Sequence, residues 1–213
     1  KFSERGLKEI VLTVVLPYWN ALSFFTTYAS VDGYDPRTWK APPAAERPDI
    51  DRWVLSVLQS LVADVNVEME GYRLYNVVPR LVLFIDDLTN WYIRRSRPRF
   101  WKSQDDADKA SAYATLYEVL TTFSRVLAPF MPFITETVHQ KLVRSVDANA
   151  PESVHFTDFP VASSALIDPT LEASMATARR VVTLARKLRE DHNIKVRQPL
   201  ARLTVVHRDA AVR

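Results

Sequence analysis

The chain of 213 residues contains no cysteine and only three glycines, Gly6, Gly33 and Gly71. Without thiols there is no disulfide, no thiolate zinc centre and no cysteine nucleophile, which fits a reducing, cytoplasmic setting. Three isolated glycines do not make a phosphate-cradling loop, because the P-loop and the dinucleotide fingerprint each need several close backbone approaches within a few residues. The four histidines, His139, His155, His192 and His207, are scattered, with no pair at i and i+4 and no H-E-x-x-H, so no local metal-ligand spacing is present. Carboxylates such as Asp86 and Asp87, or Glu68 and Glu70, do not share a helix face. Ser145 with His139, or Ser153 with His155, would become catalytic partners only through tertiary contact. The expectation is a chain with no catalytic residue, no metal site and no cofactor of its own.

Strong overall charge is also lacking. The formal net charge is +3, so any nucleic-acid footprint must come from local clustering rather than from the whole surface. One uncharged run, from Ile10 to Val31, is long enough for a membrane span. It is interrupted by Thr13, Pro17, Asn20, Ser23, Thr26, Thr27 and Ser30, and Lys8, Glu9 and Asp32 bracket it without a one-sided positive cluster. A buried helix and no membrane partner are therefore expected. The opening KFSERGLKE lacks a basic region leading into a cleavage site, so no signal peptide is read there.

Hydrophobic residues make up 47% of the sequence, ample for a buried core, and they recur mostly at helical spacing. A first helix runs from a Ser3 cap to about Ser30 with a kink at Pro17. A proline-rich connection follows, and a second helix from Asp49 or Asp51 stops near Gly71. A third begins near Tyr72 and carries Leu81, Ile85, Leu88 and Tyr92 on one stripe; Pro98 is expected to end or bend it. The fourth follows Asp105, Asp106 and Asp108, bends at Pro129 and Pro132, and continues to about Arg144. Residues 145–167 read as an irregular connection with SVHFTDFP as a short extended piece. Asp168 caps and Pro169 opens a fifth helix ending near Asn193, and Leu200 to His207 alternates weakly as a strand. The fold class is all-α: a helical bundle over 1–160, then a second unit over 161–213 made of a long helix and a short irregular or α+β extension.

What stands out is NWYIRRSRPRFWK at residues 90–102. Arg94, Arg95, Arg97, Arg99 and Lys102 occur there with no acidic residue among them, flanked by Trp91, Tyr92, Phe100 and Trp101. Cations at the end of a helix offset its dipole, each contributing roughly 0.3–1 kcal/mol, and some of these arginines can pair with Asp86, Asp87, Asp105, Asp106 or Asp108. Those roles account for about two of the five. Asn90, Arg94, Arg97 and Trp101 fall at i, i+4, i+7 and i+11, on one face of a helix that survives Pro98. Such a face suits RNA, because arginine grips phosphate with a planar fork and stacks on bases. Trp91 and Tyr92 belong to the core by their stripe; Phe100 and Trp101 read either way. A second candidate strip comprises Arg179, Arg180, Arg186, Lys187, Arg189, Lys195 and Arg197, with Arg202 beyond it, opposite Val181, Val182, Leu184 and Leu188.

The same segments carry a resemblance. KFSERGLKEIVLTVVLPYWNALSFFTTYA, RPDIDRWVLSVLQSL, YRLYNVVPRLVLFIDDLTNWYIRRSRPRFW, ASAYATLYEVLTTFSRVLAPFMPFITE, SVHFTDFP and IKVRQPL follow the order of the isoleucyl-tRNA synthetases, and NWYIRRSRPRFW is the most specific of them. The chain is similar to that family's anticodon-binding helical domain. The resemblance implies a parent class I ligase that joins isoleucine to its tRNA with ATP and magnesium. The family's HIGH and KMSKS signatures and its editing domain are not found here, so the chain reads as a non-catalytic piece that binds the anticodon arm of an isoleucine-accepting tRNA beside a missing catalytic domain, as a monomer. By that resemblance Asn90, Trp91, Arg94, Arg95, Arg97, Arg99, Phe100, Trp101 and Lys102 form the region facing the tRNA. The alternatives are the equivalent domain of a valyl- or leucyl-tRNA synthetase, and an autonomous helical module whose arginines meet an acidic protein.

Overall fold

A computed structural model describes residues 3–101 and 106–206. These form six helices and short 3-10 turns, with no strand among the described residues, and they divide into two compact units between Ile167 and Asp168.

Helix α1 runs Glu4–Asp32. Ser3 caps it, its Oγ accepting the Gly6 N–H at 3.1 Å, and Gly33 ends it in the left-handed region at φ 65°, which an achiral residue adopts freely. A π turn over Val11–Val15 lies just before Pro17. The wider turn accommodates a ring that lacks its own N–H, and the helix continues through Pro17. By length and composition α1 could cross a membrane. Its second half buries Tyr18, Ala21, Leu22 and Phe25, whereas Leu7, Ile10, Val11, Leu12 and Leu16 in the first half are exposed. The expected buried helix is thus realised over only part of its length.

Helix α2, Asp49–Glu70, presents Trp53, Val54, Leu55, Leu58, Leu61, Val62 and Val65 to the core. Helix α3 covers 74–101 and is continuous through a π turn at Asp87–Ile93 and through Pro98. A proline inside a helix costs about 3 kcal/mol. Here the turn beyond it is held by Phe100, which is buried, and by Arg99, which is bonded to Asp51 and Asp108, and these contacts offset the strain. Helix α4, Asp106–Leu127, completes the centre, with Phe123 against both Tyr18 and Phe84 at ring separations of 5.5 and 4.8 Å. Helix α5 covers 132–144 after the break at Pro129 and Pro132.

Side chains then tie the connections down. Arg47 of the proline-rich stretch donates to the Pro42 carbonyl and to Thr115 of α4. Glu136 of α5 accepts from the Ser153 hydroxyl and the Val154 N–H, so SVHFTDFP is drawn into a 3-10 turn, Val154–Phe156, in place of an extended piece. Asn66 donates to the Pro160 carbonyl, and Gln59 accepts from the Ser163 N–H. Residues beyond 160 therefore remain attached to α2, and the first unit reaches Ile167.

In the second unit, helix α6, Pro169–Asp191, starts as expected: the Asp168 carboxylate accepts the Leu171 N–H at 3.0 Å. No strand forms over residues 200–206. An isolated alternating segment has no neighbour to complete a hydrogen-bond ladder. His207, the last residue of that expected strand, lies outside the described residues.

Candidate nucleic-acid interface

Because α3 passes through Pro98 unbroken, Asn90, Arg94, Arg97 and Trp101 form one row along it, and all four are exposed. Arg94 and Arg97 make no ion pair among the described residues. The Asn90 amide donates to Asp86 at 2.7 Å. Trp91 is half-buried, and the Arg95 guanidinium lies over its ring at 3.4 Å from the centroid, a cation–π stack that holds the cation flat on the surface. Trp101 is 59% exposed, and its indole N–H donates to the Tyr28 hydroxyl at 2.6 Å.

Two members of the expected RNA-facing set turn inward instead. Phe100 is buried, edge-on to Phe24 and Tyr113 at 5.0 and 4.8 Å. Arg99 gives two bonds of 2.7 Å to the two oxygens of Asp51 and one of 2.9 Å to Asp108. Asp51 is wholly buried and also accepts from the Tyr92 hydroxyl at 2.8 Å. Burial alone would push the Arg99 guanidinium down, but the bonds from Asp51 and Asp108 outweigh it and keep the group protonated. Burial, reinforced by the Asp51 charge, pushes the Tyr92 phenol well above its ordinary range. This closed group of charges fastens the end of α3 to the start of α2 and has no capacity left for phosphate. Lys102 lies outside the described residues.

Of the acidic residues that the sequence offers as partners, Asp108 takes Arg99; Asp51 was not among them. The signal was available: Asp51 precedes Val54, Leu55 and Leu58 on the buried stripe of α2, and a carboxylate in such a stripe requires a cation. Tyr28 was missed as well, since nothing in the local sequence links it to Trp101.

In the second unit Arg180, Arg186, Lys187, Lys195 and Arg197 are exposed and Arg179 is half-buried. Arg189 instead donates to the carbonyls of Lys195 and Gln198, at 2.9 Å each, and shapes the turn after α6. The apolar side of α6 is not covered within its own unit, with Leu184 and Leu188 both exposed.

Exposed Arg94, Arg97 and Trp101 thus stand at the end of a long helix in an all-α bundle, and comparison with known proteins gives the class to which such a domain belongs. The family model described as the anticodon-binding domain of tRNA ligase matches residues 51–206, and the chain belongs to that family. It is similar to the isoleucine-tRNA ligase of Chlamydia pneumoniae, 47% identical over 206 residues that make up 97% of this chain and 19% of that protein. It is 46% identical to the isoleucine-tRNA ligase of Dehalococcoides mccartyi over 213 residues, 100% of this chain and 21% of the relative. The chain thus spans about a fifth of the length of the curated relatives it matches.

Proposed function

We propose that this chain binds the anticodon arm of an isoleucine-accepting tRNA as one domain of a cytoplasmic ligase that attaches isoleucine using ATP and magnesium. In this reading the first unit, through Ile167, supplies the anticodon-binding bundle, and the unit from Asp168 follows it. The observation that carries it is the exposed row of Arg94 and Arg97 leading to Trp101. Asn90, with its amide on Asp86, flanks the row, and Arg95 over Trp91 adds a third cation beside it. Arg99 and Phe100 serve by holding the end of α3 in place. The basic residues of the second unit, Arg180, Arg186, Lys187, Lys195 and Arg197, form a further strip for the RNA backbone.

The mechanism is positioning rather than chemistry. Guanidinium groups neutralise phosphates and release their counterions, which gives affinity that falls with salt; exposed rings accept unpaired bases from the loop. Together they fix the tRNA so that its acceptor end reaches an active site elsewhere in the ligase. Titrating transcript binding against salt tests this reading. Each neutralised phosphate contributes roughly 0.7–0.9 to the slope of log affinity against log salt, and a flat line would overturn it in favour of a protein partner.

A further inference from the structure

Trp101 is the exposed end of an otherwise well-packed aromatic group. Its indole N–H is taken by the Tyr28 hydroxyl at 2.6 Å. Tyr28 is itself half-buried on α1, its ring 4.9 Å from Phe24 and 6.3 Å from Phe100. Phe24 and Phe100 are in edge contact at 5.0 Å. An exposed side chain on the last described turn of a helix ordinarily samples several rotamers. This one is tied through a hydrogen bond to a phenol that is wedged against a buried ring, so its orientation is fixed from a different helix.

From this arrangement we propose that Trp101 is a stacking surface for one unpaired base of the bound RNA and that Tyr28 is its positioning residue. The inference rests on the tRNA-binding reading above and goes beyond it by assigning a role to a residue of α1 far from the basic motif in sequence. Two consequences follow from the chemistry. An indole has a single donor and no acceptor. With that donor used inside the protein, Trp101 offers a base only its π face, so it adds affinity without reading base identity, as stacking platforms do. Arg97 and Arg94 lie one and two turns back on the same face, so phosphates flanking a base on Trp101 fall beside guanidinium groups.

Tyr28→Phe removes one oxygen and keeps the ring in its packing, and Trp101→Phe keeps a ring but loses the tether. The test measures binding of the 213-residue chain to an anticodon stem-loop RNA in six forms: parent, Tyr28→Phe, Trp101→Ala, the double variant of these two, Trp101→Phe, and Arg94→Ala with Arg97→Ala. Trp101→Ala is expected to weaken binding about tenfold or more with an unchanged salt slope. Tyr28→Phe is expected to weaken it several-fold, and to have no further effect once Trp101 is alanine. Trp101→Phe should recover part of the loss. Abasic residues placed through the loop one at a time should reveal one position at which parent and Trp101→Ala bind alike. If Trp101→Ala binds as the parent does while Arg94→Ala with Arg97→Ala has lost affinity, the stacking surface is wrong and the tRNA reading stands. If the arginine variant binds unchanged with a flat slope, the reading itself fails. Additive losses for Tyr28→Phe and Trp101→Ala would show that Tyr28 acts by another route.

Discussion

Arg99 near the end of α3 and Asp51 at the start of α2 meet in a fork of two 2.7 Å hydrogen bonds, with Asp51 fully buried and the Tyr92 hydroxyl on the same carboxylate. Truncating one partner of a buried pair leaves the other charge uncompensated, at a cost of about 3–5 kcal/mol. Asp51→Ala is therefore expected to lower the melting temperature by roughly 10 °C, at about 2–4 °C per kcal/mol for a unit of this size. Arg99→Lys should recover little, since an ammonium does not span both oxygens. Thermal unfolding followed by circular dichroism checks both. A melting point for Asp51→Ala within a degree or two of the parent would show that the pair does not secure the helix end.

Replacing Arg94 and Arg97 by alanine should do the reverse. Both are exposed and unpaired among the described residues, and alanine is a better helix former, so stability should stay within about 0.5 kcal/mol of the parent. Affinity for tRNA should fall, and the salt slope should drop by about 1.5 for the pair. A titration over several salt concentrations separates this from a general loss of fold. The contrast with Arg99 divides one motif, RRSRPR, into cations that face outward and a cation that holds the helix.

Most of the helices were legible in the sequence because their signals are local. Ser3, Asp168 with Pro169, and Gly71 mark ends, and the stripe Leu81, Ile85, Leu88, Tyr92 marks a buried face. The chemistry of the basic segment was equally plain. What a single segment does not encode is which side of it is covered. Arg97 and Arg99 are two residues apart and read alike, yet one meets water and the other meets Asp51, 48 positions away. Pro98 shows the same limit: a local rule predicts an end or a bend, and the helix does not end there because the next two residues make long-range contacts.

Asp32 provides a pH prediction. At the end of α1 its carboxylate accepts from Lys109 Nζ at 2.7 Å and from the Tyr113 hydroxyl, joining α1 to α4. Burial raises its pKa, but the Lys109 and Tyr113 bonds lower it more, so the folded value lies below the ordinary one. A carboxylate depressed on folding stabilises the protein above its unfolded pKa, near 3.9, and that contribution disappears as pH falls through the folded value. Asp32→Asn should thus be less stable than the parent at neutral pH, with the gap narrowing steadily below about pH 4. Urea unfolding at a series of pH values measures it. A gap that widens on acidification would contradict the assignment.

Arg189 separates structure from binding in the second unit. Its guanidinium donates through Nη1 to the carbonyls of Lys195 and Gln198 across the turn that contains Asn193 at φ 53°, so it satisfies backbone acceptors of that turn. Arg186 and Lys187 are exposed one turn earlier. Arg189→Ala is expected to speed amide exchange in residues 194–198 by roughly an order of magnitude, equivalent to about 1.4 kcal/mol of local stability for the lost charge-assisted bonds, with little change in the salt slope. Arg186→Ala with Lys187→Ala should leave exchange unaltered and reduce the slope. Hydrogen exchange read beside the binding titration distinguishes the two outcomes, and a lowered slope for Arg189→Ala without faster exchange would return that residue to the RNA-facing strip.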